Sequence, residues 1–473
     1  MGSLRVAALS GGTVELDDAI VAGLKSRLKG ALLKLGDAGY DDARTIWNAM
    51  VDRHPALVAQ CASATDVQEV VSFAGQYGLL VAIKGGGHNI AGNAVCDGGI
   101  LIEFSRMKAV HVDAKARTAR VEPGATLGDF DGEAQKHGLA TPLGINSTTG
   151  VGGLTLGGGF GWLSRRFGMT VDNLLSCEVV LADGQLVRAS DKDNPELFWA
   201  LRGGGGNFGI VTSFEFKLHP VGPDVLAGLF VFALSDAASA LKKYREYIKA
   251  LGDDTTVWVV MRKAPPLPFL PPTVHGKEVI VFAAFHSGEE AAGRRALEPI
   301  RGFGTLVGEA LGVQPYTGWQ SAFDPLLTPG ARNYWKSHNL AEIPDGLIML
   351  LVEYIGNLPS DQCEIFLGGI GAATTRVSPS AMAYSQRDTI YAMNVHGRWD
   401  SPSDDDKCIS WTRDFCKKTE PFATGGVYIN FLTSDEMSRV KSAYGPNYDR
   451  MVTAKKKYDP KNFFRMNMNV SPT

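Results

Sequence analysis

The chain has 473 residues, 45% of them apolar and 21% charged, with a formal net charge of −3. It is long enough to bury more than one core and too balanced in charge for nucleic-acid binding or a polybasic membrane patch. No apolar run approaches a membrane span, and the N-terminus "MGSLRVAALSGG" is too weakly apolar for a secretory signal, so a soluble, cytoplasmic protein is expected. Six cysteines (Cys61, Cys96, Cys177, Cys363, Cys408 and Cys416) show no CxxC pair and no histidine at ligand spacing, which predicts buried thiols and no metal.

In chain order, "DVQEVVSFAGQYG" has the apolar spacing of a helix closed by glycine, and "LLVAIKGGG" reads as a strand running into a loop. "GGILIEFSRM" is a further strand, and "KAVHVDAKARTARVEPG" and "SCEVVLADGQLVRAS" predict hairpins. The first 220 residues or so therefore form an α+β unit rich in glycine. From about 221 to 420, strand-like runs ("AGLFVFAL", "TVWVVMRK", "EVIVFAAF", "LIMLLVEYI") alternate with helical ones ("SDAASALKKYREYIKALG", "GEEAAGRRALEPIRGFG"), a pattern that suits an antiparallel sheet covered by helices. The proline-rich "APPLPFLPPT" predicts a rigid surface loop.

Three glycine tracts carry the chemistry: "IKGGGHNIAG" from Ile83, "GINSTTGVGGLTLGGGFGWLSRRFGMTVDNL" from Gly144, and "WALRGGGGNFGIVTSFEF" from Trp199. Glycine at such density lets backbone N–H groups approach a phosphate-bearing ligand. Three tracts, each abutting apolar strand, imply a long ligand met by backbone along its length. A Rossmann site would instead need one GxGxxG with an acidic residue about 20 residues on. A phosphate nest has no use for an imidazole, so His88 needs another explanation.

Together with the terminal "KYDPKNFFRMNMNV", these tracts resemble the FAD-linked oxidases of the berberine-bridge-enzyme-like group, in the vanillyl-alcohol-oxidase (PCMH-type FAD-binding) superfamily. The resemblance implies an FAD-binding domain of two subdomains over residues 1–220, a substrate-binding domain over 221–420 and a C-terminal segment, 421–473, that returns to the FAD domain. It implies FAD bonded covalently through His88, with cofactor contacts from Lys84, Gly85, Gly86, Gly87, Asn89 and Gly92 in the first tract. In the second it implies Asn146, Thr149, Gly150, Gly152, Gly153, Thr155, Gly159, Phe160 and Gly161, and in the third Asn207, Gly209, Ile210 and Val211. Asn146 stands where many relatives carry a second attaching cysteine, so a single attachment is implied. Thr149 stands near the expected C4a–N5 edge, as in relatives resembling the bacterial flavin-dependent favorskiiase.

"GGVYINFL" matches the family's Tyr-x-Asn strand, which makes Tyr428 the leading catalytic candidate, with Asn430 on the same face beside the cofactor. Tyr384 and Thr149 are the other catalytic candidates. Gln386 and Tyr391, which alternate with Tyr384 along an expected strand, are substrate-binding candidates, as is Tyr334 in "RNYWKS", with Lys336 beside it. Two activities fit. One is an oxidase that takes a hydride from a small alcohol or secondary metabolite and passes the electrons to oxygen as peroxide. The other is a flavin oxygenase acting on a polyketide-like or aromatic substrate. No nucleic-acid or membrane partner is expected.

Overall fold

The short apolar runs between residues 31 and 103 pair in the order Ala31–Leu33, Leu57–Gln60, Ile100–Glu103, Val81–Lys84, and the last three run parallel. The computed structural model, which describes residues 2–473, shows why. Helix Ala64–Tyr77 makes the crossover between Leu57–Gln60 and Val81–Lys84. Ser63 starts it by accepting the Asp66 N–H, and Gly78 stops it in the left-handed region at φ 63°. Val67, Val70, Val71 and Ala74 are thereby buried against the sheet. The strand Val81–Lys84 then delivers the first glycine tract at its carboxyl end, where parallel sheets open a crevice.

Both expected hairpins form. Val110–Asp113 with Thr118–Val121, and Leu174–Val180 with Leu186–Ser190, join Ile210–Lys217 in a five-stranded antiparallel sheet. The second glycine tract enters the short helix Val151–Leu156, and the third leads into Ile210–Lys217.

The remaining strands build a seven-stranded antiparallel sheet in the order Leu306–Pro315, Asp224–Ala233, Glu278–His286, Thr255–Lys263, Glu364–Gly369, Tyr391–Trp399, Arg332–Leu340. Helices Ala237–Tyr247, Asp345–Ile355 and Asp405–Thr419 cover one face, where Leu241, Leu347, Leu351 and Phe415 pack on Val259, Met261, Met393 and Val395. The architecture is α+β, as expected.

Three local expectations fail. "LIMLLVEYI" is helix, because its buried residues Leu347, Ile348, Leu351, Tyr354 and Ile355 recur at a 3.6-residue period rather than alternating. Residues 381–390 form no strand, and the strand of that region begins only at Tyr391. "GGVYINFL" turns at a 3₁₀ segment, Ile429–Phe431. The proline-rich loop also does more than cover a surface, since Leu270 is buried against Val231 and Val281.

Two buried ion pairs lock long connections. Lys455 and Asp459, both fully buried, pair at 2.6 Å, and the Lys455 ammonium also donates to the carbonyls of Asn207 and Phe464, tying the C-terminal segment to the third tract. Arg387 grips Asp172 with two hydrogen bonds of 2.7 and 2.9 Å, side chains 1% and 9% exposed, and fastens the 381–390 loop to the end of the second tract. Asp172→Ala leaves a buried guanidinium without its partner, so unfolding free energy is expected to fall by about 3–5 kcal/mol. The urea midpoint of the purified enzyme measures this, and an unchanged midpoint would refute it.

Candidate active site

The first two glycine tracts cross in backbone contact. A Cβ at Gly86 would lie 2.3 Å from the Gly150 nitrogen, so neither residue tolerates a side chain and the crossing needs glycine on both strands. Around the crossing opens a cavity of about 410 Å³, walled on one side by the tracts and on the other by the seven-stranded sheet. Gly85, Gly86, Gly87, His88, Asn89, Asn146, Thr149, Gly150, Gly152, Gly153, Phe160, Gly209, Ile210, Val211, Tyr428 and Asn430 all line it. Gly153 and Gly206 also line it, and the space into which a Cβ of either would project is empty.

Six of the residues implied as cofactor contacts lie behind that wall. Lys84 turns away to donate to the Ala43 carbonyl at 2.7 Å. Gly92 packs on Val51, and Gly161 on the Leu143 carbonyl, through chain crossings rather than ligand approach. Thr155 is fully buried, and Gly159 presents its N–H to Tyr428. Asn207 serves the C-terminal segment, donating to the Met468 carbonyl at 3.2 Å and accepting the Val470 N–H at 2.9 Å.

His88 is half-buried against Trp47, their rings stacked at 5.2 Å and 20°. Its tautomer follows from a chain of hydrogen bonds. The backbone N–H of Thr148 can only donate, and it meets Asn146 Oδ1 at 3.0 Å; the Thr148 hydroxyl therefore also donates to that oxygen, at 2.6 Å. The hydroxyl's lone pair then faces His88 Nε2 at 2.9 Å, so Nε2 carries the proton and Nδ1 the free lone pair. Burial, partly opposed by the hydrogen bond at Thr148, lowers the His88 pKa to about 4 and keeps the ring neutral at physiological pH.

The Tyr428 oxygen accepts two hydrogen bonds, from the Gly159 N–H at 3.0 Å and from Asn430 Nδ2 at 2.9 Å. Its own proton is left to donate. Burial pushes the phenol up to about 12, while Asn430 and Gly159 pull the other way. Phe160 and Phe431 hold the ring edge-on at 5.0 and 4.9 Å. The loss of strand geometry at 429–431 therefore does not separate Tyr428 from Asn430.

Strand register fixes the opposite wall. Arg262 pairs with Glu364, Glu364 with His396, and His396 with Trp335, so one row crosses four strands on the cavity face. Two residues along, Val260, Phe366 and Asn394 form the next row, and Trp258 belongs to a third. All eight side chains line the cavity. The first row neutralises itself: Arg262 reaches Glu364 at 2.7 Å, and His396 places Nδ1 at 3.3 Å from Glu364 and Nε2 at 3.3 Å from Asn333 Oδ1. Burial works to raise the Glu364 carboxyl, but Arg262, His396 and Arg398 hold it down to about 2, while burial lowers His396.

Five sequence candidates are not in this cavity. Tyr334 and Lys336 flank Trp335 and so point to the other face, where both bond Asp435. Tyr391 has the wrong parity on its strand and packs under the helices against Tyr244. Gln386 donates to the Ser442 and Ala443 carbonyls. Tyr384 lies behind the second tract, its ring 6.5 Å from Tyr428. In their place come Arg262, Glu364, Asn394, His396, Trp335 and Trp47, which sequence reasoning missed. The strands at 332–340 and 391–399 are buried on both faces, so no polar alternation marked which residues face inward.

A family model for the FAD binding domain matches residues 55–190, and one for berberine and berberine-like proteins matches residues 427–471. An FAD-linked oxidoreductase of Dictyostelium discoideum is 32% identical over 448 residues, 94% of this chain and 95% of that one. The (R)-6-hydroxynicotine oxidase of Paenarthrobacter nicotinovorans is 28% identical over 94% of this chain and 97% of its own. The crystal structure of 6-hydroxy-D-nicotine oxidase from Arthrobacter nicotinovorans superposes with a TM-score of 0.85 at 27% identity, covering 94% of this chain and 98% of that one. No helix among the described residues is long and apolar enough to cross a membrane. With the glycine-walled cavity and both family segments in one chain, the protein belongs to the berberine-bridge-enzyme-like FAD-linked oxidoreductases and is an FAD-dependent oxidase of that group.

Proposed function

We propose that this oxidase holds FAD covalently through His88 alone, takes a hydride from a carbon of a small organic alcohol, and returns the electrons to oxygen as hydrogen peroxide. The observation that carries the reading is that His88 and Tyr428 open onto one cavity whose two walls differ in chemistry, glycine backbone on one side and side chains of a sheet on the other. The cavity fits the cofactor: Gly153 and Gly206 leave room that any side chain would fill, and the Asn467 amide oxygen, buried at the same wall, has no partner. When bound, FAD supplies the two-electron acceptor.

This chain's residues do the rest. His88 presents a neutral imidazole with its lone pair on Nδ1, the form that makes a bond to carbon. Asn146 cannot form a second link, and its amide oxygen instead orients Thr148. Tyr428, which lines the cavity, would receive the substrate hydroxyl proton, with two donors on its oxygen to stabilise the phenolate. The apolar side chains around it exclude water.

Anaerobic bleaching of the flavin by a substrate alcohol, followed by one peroxide per flavin on admitting air, tests the reading; oxygen incorporated into product in place of peroxide would contradict it. A second test concerns the tautomer. Thr148→Val removes the acceptor that holds the proton on Nε2, and covalently retained flavin after acid precipitation is expected to fall several-fold. Thr148→Ser is expected to restore it, and equal incorporation in all three proteins would refute the relay.

A further inference from the structure

A second cavity, of about 540 Å³, opens on the other face of the seven-stranded sheet. Tyr391 lines it because its parity on Tyr391–Trp399 is opposite to that of Asn394 and His396, which line the flavin cavity. Arg165 reaches it from the short helix Ser164–Phe167, near the end of the second glycine tract. These two residues are 3% and 5% exposed, and both keep unused donors.

The Arg165 side chain donates from Nε to the Thr255 carbonyl at 2.9 Å and from Nη2 to the Leu251 carbonyl at 3.0 Å. Among the described residues its Nη1 has no partner, and no carboxylate stands at ion-pair distance. Arg387 and Arg262, buried to the same degree, hold Asp172 and Glu364. A buried cation without a counter-ion is costly, and an anion in the cavity offsets that cost. The Tyr391 hydroxyl has no hydrogen bond among the described residues either. Both groups belong to one corner. Arg165 Nη1 lies 3.9 Å from where a Cβ on Gly371 would stand, and the Gly371 N–H meets the carbonyl of Ile390, the residue before Tyr391.

The charges at the rim already have partners: Lys249 pairs with Glu246 at 2.8 Å, Arg245 with Asp345 at 2.5 Å, and Asp253 with Arg376 at 2.5 Å. Glu342, the remaining charge of the lining, is exposed. One unmatched guanidinium inside and one carboxylate outside suit a single negative charge and disfavour a dianion such as phosphate. Beyond the corner, Ile248, Leu251, Ile343 and Ile390 make the lining apolar. We propose that this cavity is a second ligand site, which takes a small aliphatic carboxylic acid. Arg165 Nη1 and the Tyr391 hydroxyl receive the carboxylate, and the chain lies on the four apolar residues. The sheet separates such a ligand from the flavin cavity, so it acts as an effector rather than a substrate.

The experiment is a calorimetric titration of the holoenzyme with hexanoate and with hexanamide, which has the same chain and no charge. One hexanoate is expected to bind per chain, about tenfold more tightly than the amide, the worth of one charge-assisted hydrogen bond. In Arg165→Gln the two probes are expected to bind alike. Tyr391→Phe keeps the ring against Tyr244 and is expected to weaken hexanoate several-fold. If the glutamine variant does not fold, the phenylalanine variant decides alone. Absence of saturable hexanoate binding, equal affinity for the amide in the wild type, or a hexanoate affinity that Tyr391→Phe leaves unchanged overturns the proposal. The last of these is the result expected of an acid held in the flavin cavity instead.

Discussion

Tyr428→Phe is expected to slow anaerobic flavin reduction by roughly 10²–10⁴-fold while leaving substrate affinity within a few-fold of wild type, the usual share of a lost proton acceptor. The phenylalanine keeps the packing against Phe160 and Phe431, so only the oxygen and its two hydrogen bonds are removed. The pH profile carries the sharper sign. With the phenol pushed up to about 12, the phenolate is scarce near neutrality, and the wild-type reduction rate is expected to climb with pH without a plateau below about pH 10. That rising limb is expected to vanish in the variant. Stopped-flow reduction across pH decides it; a variant that keeps both rate and profile would reduce Tyr428 to a packing residue beside the cavity.

His88→Ala is expected to abolish covalent flavin altogether. The variant should still bind FAD through the glycine wall and remain yellow in buffer, yet release all its flavin into the supernatant on acid precipitation, whereas the wild type keeps its flavin on the polypeptide. A linked pH dependence follows from the lowered imidazole. The neutral, bond-forming ring persists above about pH 4 and is lost as pH falls through that value, so incorporation into apoprotein is expected to be flat from pH 6 upward. An imidazole at its ordinary value would already be half protonated near pH 6.5. Flavin fluorescence of the denatured polypeptide, followed against incorporation pH, distinguishes the two, and retention of flavin by the alanine variant would place the attachment elsewhere.

The cofactor side of this enzyme is written in local sequence. A glycine crossing at Gly86 and Gly150 needs glycine on both chains whatever surrounds it, and a histidine directly after such a tract is displayed by the tract itself. Helix Ala64–Tyr77, both hairpins and three strands of the large sheet, Asp224–Ala233, Thr255–Lys263 and Glu278–His286, are equally local, because caps, turns and β-branched runs act over a few residues. Even the pairing of Tyr428 with Asn430 survives a mistaken strand, since two residues of separation bring them together in the tight turn as well.

The sheet wall of the cavity was decided only by tertiary structure. In "RNYWKS" the sequence offers Tyr334, Trp335 and Lys336 in succession, and a shift of one residue exchanges the face each presents. The same parity sends Tyr391 under the helices and turns Asn394 and His396 into the cavity. Where both faces of a strand are buried, one against helices and the other against a ligand cavity, polar and apolar residues no longer alternate, and the pattern that normally reveals the inward face is erased. Arg262, Glu364, His396 and Trp335 lie up to 134 residues apart in the chain (396 − 262 = 134) and become neighbours only through the register of four antiparallel strands. Glycine tracts and the histidine that follows the first of them are thus properties of segments, while the row that lines the opposite wall of the cavity is a property of the sheet.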